Sequence, residues 1–283
     1  MDTKRFYLYE NNDKVYFDLF LCDSSPSYSD SSHPFMLICP GGGYGACSPR
    51  EAEPIARYYM GKGYNTGILY YTVNTLAYTQ EHTPVEMIDK ESTLPLPLIE
   101  VAKCISMVRD NAEEWHVSPD KISIIGFSAG AHLAGMLATM WNRPELIKKL
   151  GKDNTRPDAL ILIYPVVTSG EFAHTGSFMN LLNTMTPSKE KLEEYSLENN
   201  VNETTPPTFL VHTAADTIVP CENSMIFAKA LRKFKIPFEL HILPDEQHGM
   251  SLATSEVLKV AKPYNARWAD WSCKWLEKTF NKE

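Results

Sequence analysis

The chain has 283 residues, of which 43% are hydrophobic and 22% charged, and carries a formal net charge of -8. That length buries a sizeable core and suits one domain spanning 1–283, with no repeat or low-complexity tract to divide it. The acidic balance argues against nucleic acid or an anionic membrane surface as the main partner and leaves a small or neutral molecule.

Residues 4–9 and 14–21 read as two strands around the turn-rich Glu10-Asn11-Asn12-Asp13, with Val15, Phe17, Leu19 and Leu21 alternating, as in an antiparallel hairpin at a sheet edge. Residues 34–39 are apolar without alternation, the pattern of a strand covered on both faces, and they run into Pro40-Gly41-Gly42-Gly43-Tyr44-Gly45. A helix over 51–60, stopped by Gly61-Lys62-Gly63, and a strand over 65–71 establish β-α-β alternation. The proline-punctuated stretch 72–98 predicts a long surface loop bordering a binding site, and 99–115 has helical spacing. Strands follow at 158–164, 207–213 and 238–243, with a helix over 223–234. Residues 166–207 are polar, with short helices expected near 177–182 and 188–195, and predict a small cap inserted at about 166–206. In the terminal helix Trp268, Trp271 and Trp275 recur at spacings that form a core-facing stripe.

The sequence around residue 128 carries the chemistry. The β-branched run Ile122 to Ile125 leads through Gly126-Phe127-Ser128-Ala129-Gly130 into the Ala/Leu/Met-rich run 131–140, a strand, sharp turn and helix. A serine hydroxyl is a weak nucleophile and needs such a turn, a neighbouring base and free backbone donors. At a helix N-terminus the Ala129 N–H has no intrahelical partner and can face a developing oxyanion. The glycine run at 41–45 follows another strand and lacks the spacing of a dinucleotide-binding loop, so it reads as a second source of oxyanion donors.

The base and acid are sought at the other strand ends. Asp216 follows the strand at 207–213, and His248, in His248-Gly249, follows the strand at 238–243. In an open parallel sheet these ends share one edge, so the glycine loop, Ser128, Asp216 and His248 converge there. The order Ser, Asp, His is that of α/β-hydrolases. Among the eight histidines, His132 points into the fold one turn past Ser128, and His212 sits inside a strand. His33, His82, His116, His174 and His241 lack the strand-end context. Glu222 and Asp245 are the rival acids, read as surface or helix-start residues. The six cysteines are scattered without Cys-x-x-Cys pairs, so neither a disulfide framework nor a zinc site is expected, and without a His-Glu-x-x-His or other clustered ligand set no catalytic metal or other cofactor is expected. With no signal-peptide core in the first residues and no membrane-length apolar run, the expected compartment is the cytoplasm.

Pro40-Gly41-Gly42-Gly43-Tyr44, Gly126-Phe127-Ser128-Ala129-Gly130-Ala131-His132, the stretch from Pro206 to His212, Asp216-Thr217-Ile218-Val219-Pro220 and His248-Gly249 together resemble the acetyl esterase/lipase branch of the α/β-hydrolases. More narrowly they resemble its acetyl xylan esterase-like carbohydrate esterases, from about Phe35 to the C-terminus. The resemblance implies a mostly parallel sheet with helices on both faces, Ser128 as nucleophile, Asp216 as acid and His248 as base. It also implies oxyanion donors at Gly42, Gly43 and Ala129. Pro40 stands where the hormone-sensitive-lipase group has histidine, and Ala131 where close relatives often have a third glycine. The expected function is a serine carboxylesterase acting on short acyl groups, acetyl above all, on a small-molecule ester such as an acetylated xylo-oligosaccharide. An amidase, arylformamidase-like or peptidase-like hydrolase is the alternative, and a non-catalytic binding protein on the same fold a more distant one. A homo-oligomer is compatible with the sequence, and nothing in it demands one.

Overall fold

The structure, a computed structural model, describes residues 2–22, 32–74, 96–244 and 247–281. β1 (Asp2–Tyr9) and β2 (Asn12–Leu21) pair antiparallel, with Phe6 opposite Phe17. Val15, Phe17, Leu19 and Leu21 bury one face of the ribbon, as period-two alternation requires. β2 lies antiparallel on β4 (Asn65–Tyr70), and beyond it the sheet is parallel. It continues through β3 (His33–Cys39), β5 (Val117–Phe127), β6 (Ala159–Ile163), β7 (Thr208–Thr213) and β8 (Phe238–Leu243). The carboxyl ends of β3 to β8 therefore share one edge.

Two apolar layers explain why the parallel strands show no alternation. On one face Ile122, Ile124, Leu160 and Leu162 pack beneath α2 (Leu96–Asp110), α3 (Ala129–Met140) and α7 (Glu222–Lys233). On the other, Ile125, Phe127, Ile161 and Ile163 pack beneath α1 (Glu53–Met60) and α8 (Pro263–Asn281). Every residue of α3 is buried, so this helix is apolar all round rather than striped. Between the layers each strand side chain loses its water, at roughly 1.5–3 kcal/mol for a fully buried Leu, Ile or Phe.

Several element boundaries differ from expectation. A short 3-10 turn over Pro49–Glu51 precedes α1, whose first turn contains Pro54. α2 ends at Asp110, five residues before the expected limit. The chain reverses through 111–116, with His116 at φ 50° and the Trp115 carbonyl accepting from Asn65 Nδ2 at 2.9 Å. That buried amide satisfies a carbonyl that helix would otherwise have used. α4 (Pro144–Leu150) was not anticipated, although Pro144 at its start and a left-handed Gly151 at its end are ordinary helix punctuation. Most of the expected 72–98 loop, residues 75–95, lies outside the described residues. α5 (Thr175–Leu181) and α6 (Lys189–Tyr195) fall within 166–207. Trp268 and Trp275 are buried, whereas Trp271 is partly exposed and stacks on His241 at 4.7 Å. Among the described residues no helix is long and apolar enough to cross a membrane.

Candidate active site

Between β5 and α3 the backbone turns at Ser128, which adopts φ 53° and ψ -118°. Positive φ is costly for a serine and persists only where the surroundings over-determine it. Here the Ser128 N–H donates to Ile163 O at 3.0 Å, and its carbonyl accepts from His132 N–H at 3.1 Å and Val166 N–H at 3.2 Å. The flanking glycines are required by contact. A Cβ on Gly126 would lie 2.3 Å from Gly130 O, and one on Gly130 would lie 2.2 Å from Cys39 O. These approaches press the start of α3 against the end of β3. Ala131, in the first turn of α3, is fully buried in the core, so its methyl is accommodated behind the turn.

The three residues expected at separate strand ends form one hydrogen-bonded series. His248 Nε2 lies 2.8 Å from Ser128 Oγ, and His248 Nδ1 lies 2.6 Å from Asp216 Oδ2. An ionised Asp216 only accepts, so Nδ1 carries the proton and Nε2 is free to accept from the serine hydroxyl. The other Asp216 oxygen accepts from the Ile218 and Val219 N–H groups at 3.0 and 2.9 Å. Burial pushes the Asp216 carboxyl up, but hydrogen bonds from His212 and His248, the charge of His248 and the Val219 N–H together hold it well below the usual range. Of the rival acids, Glu222 opens α7 and accepts from the Cys221 thiol, and Asp245 lies outside the described residues.

The glycine loop begins against the serine. A Cβ on Gly41 would sit 3.0 Å from Ser128 Cβ, and the Gly41 N–H donates to Glu51 Oε2 at 2.8 Å. Gly42, at φ 130°, turns the chain so that its carbonyl accepts from Gly45 N–H at 2.9 Å, and the Gly43 carbonyl accepts from Asn180 Nδ2 at 2.9 Å. Among the described residues no acceptor engages the N–H of Gly42, Gly43 or Ala129. Asn223 anchors the other flank. Its Oδ1 accepts from the Val167 and Thr168 N–H groups, and its Nδ2 donates to Phe172 O at 2.9 Å. Residues 172–180 are thus tied at one end to the start of α7 and at the other to the glycine loop.

Two histidines differ from a simple division into site and non-site. His212 is buried inside β7, yet its Nε2 donates to Val219 O at 2.8 Å and lies 3.4 Å from Asp216 Oδ2, while Nδ1 accepts from Ser224 Oγ. It braces the acid from behind, and only the period-two direction of the strand could have indicated that in the sequence. His174, before α5, is hydrogen-bonded to Ser177 Oγ. Burial lowers its pKa, the His248 charge lowers it further and Asp216 raises it, so it shares the electrostatic surroundings of the series. His132 is structural: Nδ1 meets Tyr44 Oη at 2.9 Å and Nε2 donates to Tyr195 O at 2.8 Å.

Burial lowers the His132 pKa from 6.5 to about 4, so the unfolded chain binds its proton more readily than the folded one. Its contribution is complete above about pH 6.5 and is lost as pH falls towards 4, by roughly 3 kcal/mol in all. Urea melts between pH 7 and 4.5 are expected to show this fall in the native chain and a shallower one in His132→Gln. Equal slopes would remove His132 as the cause.

The BD-FAE family profile matches residues 24–231. The chain belongs to the BD-FAE family. Its α/β-hydrolase fold is shared with the acetyl ester-xyloside bifunctional hydrolase of Caldicellulosiruptor lactoaceticus, at 32% identity and a TM-score of 0.80 over 97% of this chain and 96% of that one. It is also shared with MGS-M1, an α/β hydrolase from a deep-sea metagenome, at 32% identity and a TM-score of 0.76 over 99% and 98% of the two chains. Among curated relatives, this BD-FAE chain is 36% identical over 232 residues to endo-1,4-beta-xylanase B of Butyrivibrio fibrisolvens and 30% identical over 219 residues to an acetylxylan esterase of Xylanibacter ruminicola. These matches take in 80% and 76% of this chain but 34% and 40% of those proteins, so it spans well under half of either. Among the described residues no group of three or more His, Cys, Asp or Glu side chains is placed to hold a metal ion.

Proposed function

We propose that this chain is a serine carboxylesterase that removes short acyl groups, acetyl above all, from the hydroxyls of sugars such as acetylated xylo-oligosaccharides. The observation that carries the chemistry is the unbroken series Asp216, His248, Ser128 beside Gly42 and Gly43, whose N–H groups meet no acceptor among the described residues. The relatives named for acetyl ester, acetylxylan and xyloside chemistry support the substrate class.

In this mechanism His248 Nε2 takes the Ser128 proton as Oγ attacks the acyl carbonyl carbon. The carbonyl electron pair moves to oxygen, where the N–H groups of Ala129 and of Gly42 and Gly43 receive it. Asp216 holds the imidazole in the working tautomer and stabilises the imidazolium. The imidazolium returns its proton to the departing alcohol oxygen and an acyl-Ser128 remains. A water then attacks with His248 again as base, releasing the carboxylic acid and restoring the serine. We further take the chain as one domain, with 166–206 as a cap tied down through Asn180 and Asn223. Its six unpaired thiols accord with a reducing cytoplasm.

The test is a rate panel with acetyl, butyryl and octanoyl aryl esters, a formanilide and an acetylated xyloside. Acetyl esters are expected to react fastest and the xyloside to be deacetylated. A chain that turns over only the formanilide is an amidase using the same three residues. One that turns over nothing and takes no phosphonate label on Ser128 is a binding protein.

A further inference from the structure

Glu51 is a buried carboxyl that the mechanism above does not use. It stands on the 3-10 turn before α1, within the fold rather than in solvent. Oε2 accepts the Gly41 N–H at 2.8 Å and Oε1 accepts the Tyr164 hydroxyl at 2.7 Å. The Tyr164 oxygen in turn accepts the Ser251 N–H at 2.9 Å, and Ser251 Oγ donates to Arg50 O at 2.6 Å. The Tyr164 ring meets the His248 ring edge-on, with centroids 5.0 Å apart. Tyr164 itself is held at φ 39°, an unfavourable conformation for a tyrosine, with its N–H donated to Val211 O at 2.7 Å.

Both ends of this series abut the reacting groups. Gly41 immediately precedes Gly42 and Gly43 and packs on Ser128, and Ser251 lies three residues after His248 on the same loop. We infer that Glu51 is a positioning residue that sets the glycine loop and the His248 loop against each other, one carboxyl oxygen fixing Gly41 and the other fixing Ser251 through Tyr164. A carboxylate suits this place because it only accepts, and both of its partners arrive as donors. In a buried, low-dielectric setting those bonds are strong when complete and costly when broken. An amide at position 51 has a single acceptor oxygen, so whichever way it is turned its N–H₂ faces a donor, and either the Tyr164 hydroxyl or the Gly41 N–H is left without an acceptor. The inference rests on the serine-esterase reading of the same site.

The experiment is steady-state kinetics on an aryl acetate for the native chain, Glu51→Gln, Tyr164→Phe and the double variant, with thermal melts of each. Each single variant is expected to lose roughly 10- to 100-fold in kcat with KM changed by less than about three-fold, as when an interaction serves the transition state and not binding. The double variant should fall no more than about three-fold below the worse single one, because either change breaks the same series. A destabilised variant that keeps kcat within about two-fold of native at a temperature well below its melt overturns the inference. So do single losses that multiply in the double variant. If Glu51→Gln does not fold, Tyr164→Phe decides, since it deletes one oxygen and adds no donor; native kcat in that variant overturns the inference. Failure of the esterase reading is recognised separately, by a native chain that neither turns over an ester nor takes a phosphonate label.

Discussion

Ser128→Ala is expected to lower kcat on aryl acetates by roughly 10⁵- to 10⁶-fold while leaving a folded protein. The loss follows from what the hydroxyl does in the proposed cycle: without Oγ there is no acyl-enzyme, and His248 Nε2 has no proton to take. Residual turnover would come from water activated by His248 and from the N–H groups of the glycine loop and Ala129, which survive the change. The backbone does not depend on the hydroxyl. Its turn is held by the Ser128 N–H and carbonyl, through Ile163, His132 and Val166, and all three bonds persist in alanine. The variant should therefore melt close to the native temperature, since alanine keeps the Cβ that makes φ 53° costly and adds no further strain. Activity within about ten-fold of native, with the fold intact, would mean that another group is the nucleophile.

Asp216→Asn is expected to cost about 10⁴-fold in kcat, the size of effect that follows when a triad histidine loses the acceptor that fixes its tautomer. One Asp216 oxygen is committed to the Ile218 and Val219 N–H groups, so an asparagine that preserves those bonds must turn its amide N–H₂ toward His248 and His212. Nδ1 of His248 would then become the acceptor and Nε2 the donor, which points a proton at Ser128 instead of a lone pair. Stability should respond to pH in a definite direction. Because the folded pKa of Asp216 is depressed from 3.8, its contribution is present above that value and is lost as pH falls toward the folded pKa. The melting gap between native and Asp216→Asn, widest near neutral pH, should narrow below about pH 4. A variant with native kcat, or a gap that widens in acid, would assign the acid role elsewhere.

Local pattern alone determined most of the architecture of this chain. Unbroken apolar runs such as Ile122 to Ile125 announce strands buried on both faces, alternation at Val15, Phe17, Leu19 and Leu21 announces the edge hairpin, and each is a property of a few consecutive side chains. Gly126, Ser128 and Gly130 were legible for the same reason, since a tight strand-to-helix turn writes its steric needs into five adjacent positions. Asp216 and His248 were legible because a parallel sheet gathers strand ends at one edge. What only the tertiary structure decided are partnerships between residues far apart in the chain. Glu51 looks like an ordinary helix-start acid until Gly41 and Tyr164 close on its two oxygens. His212 looks like a strand-interior histidine until the loop after β7 folds Asp216 back against it. Hydrogen-bond donors and acceptors are common in any sequence and carry no mark of their distant partners; burial selects among them, because each one removed from water must find its match inside the fold.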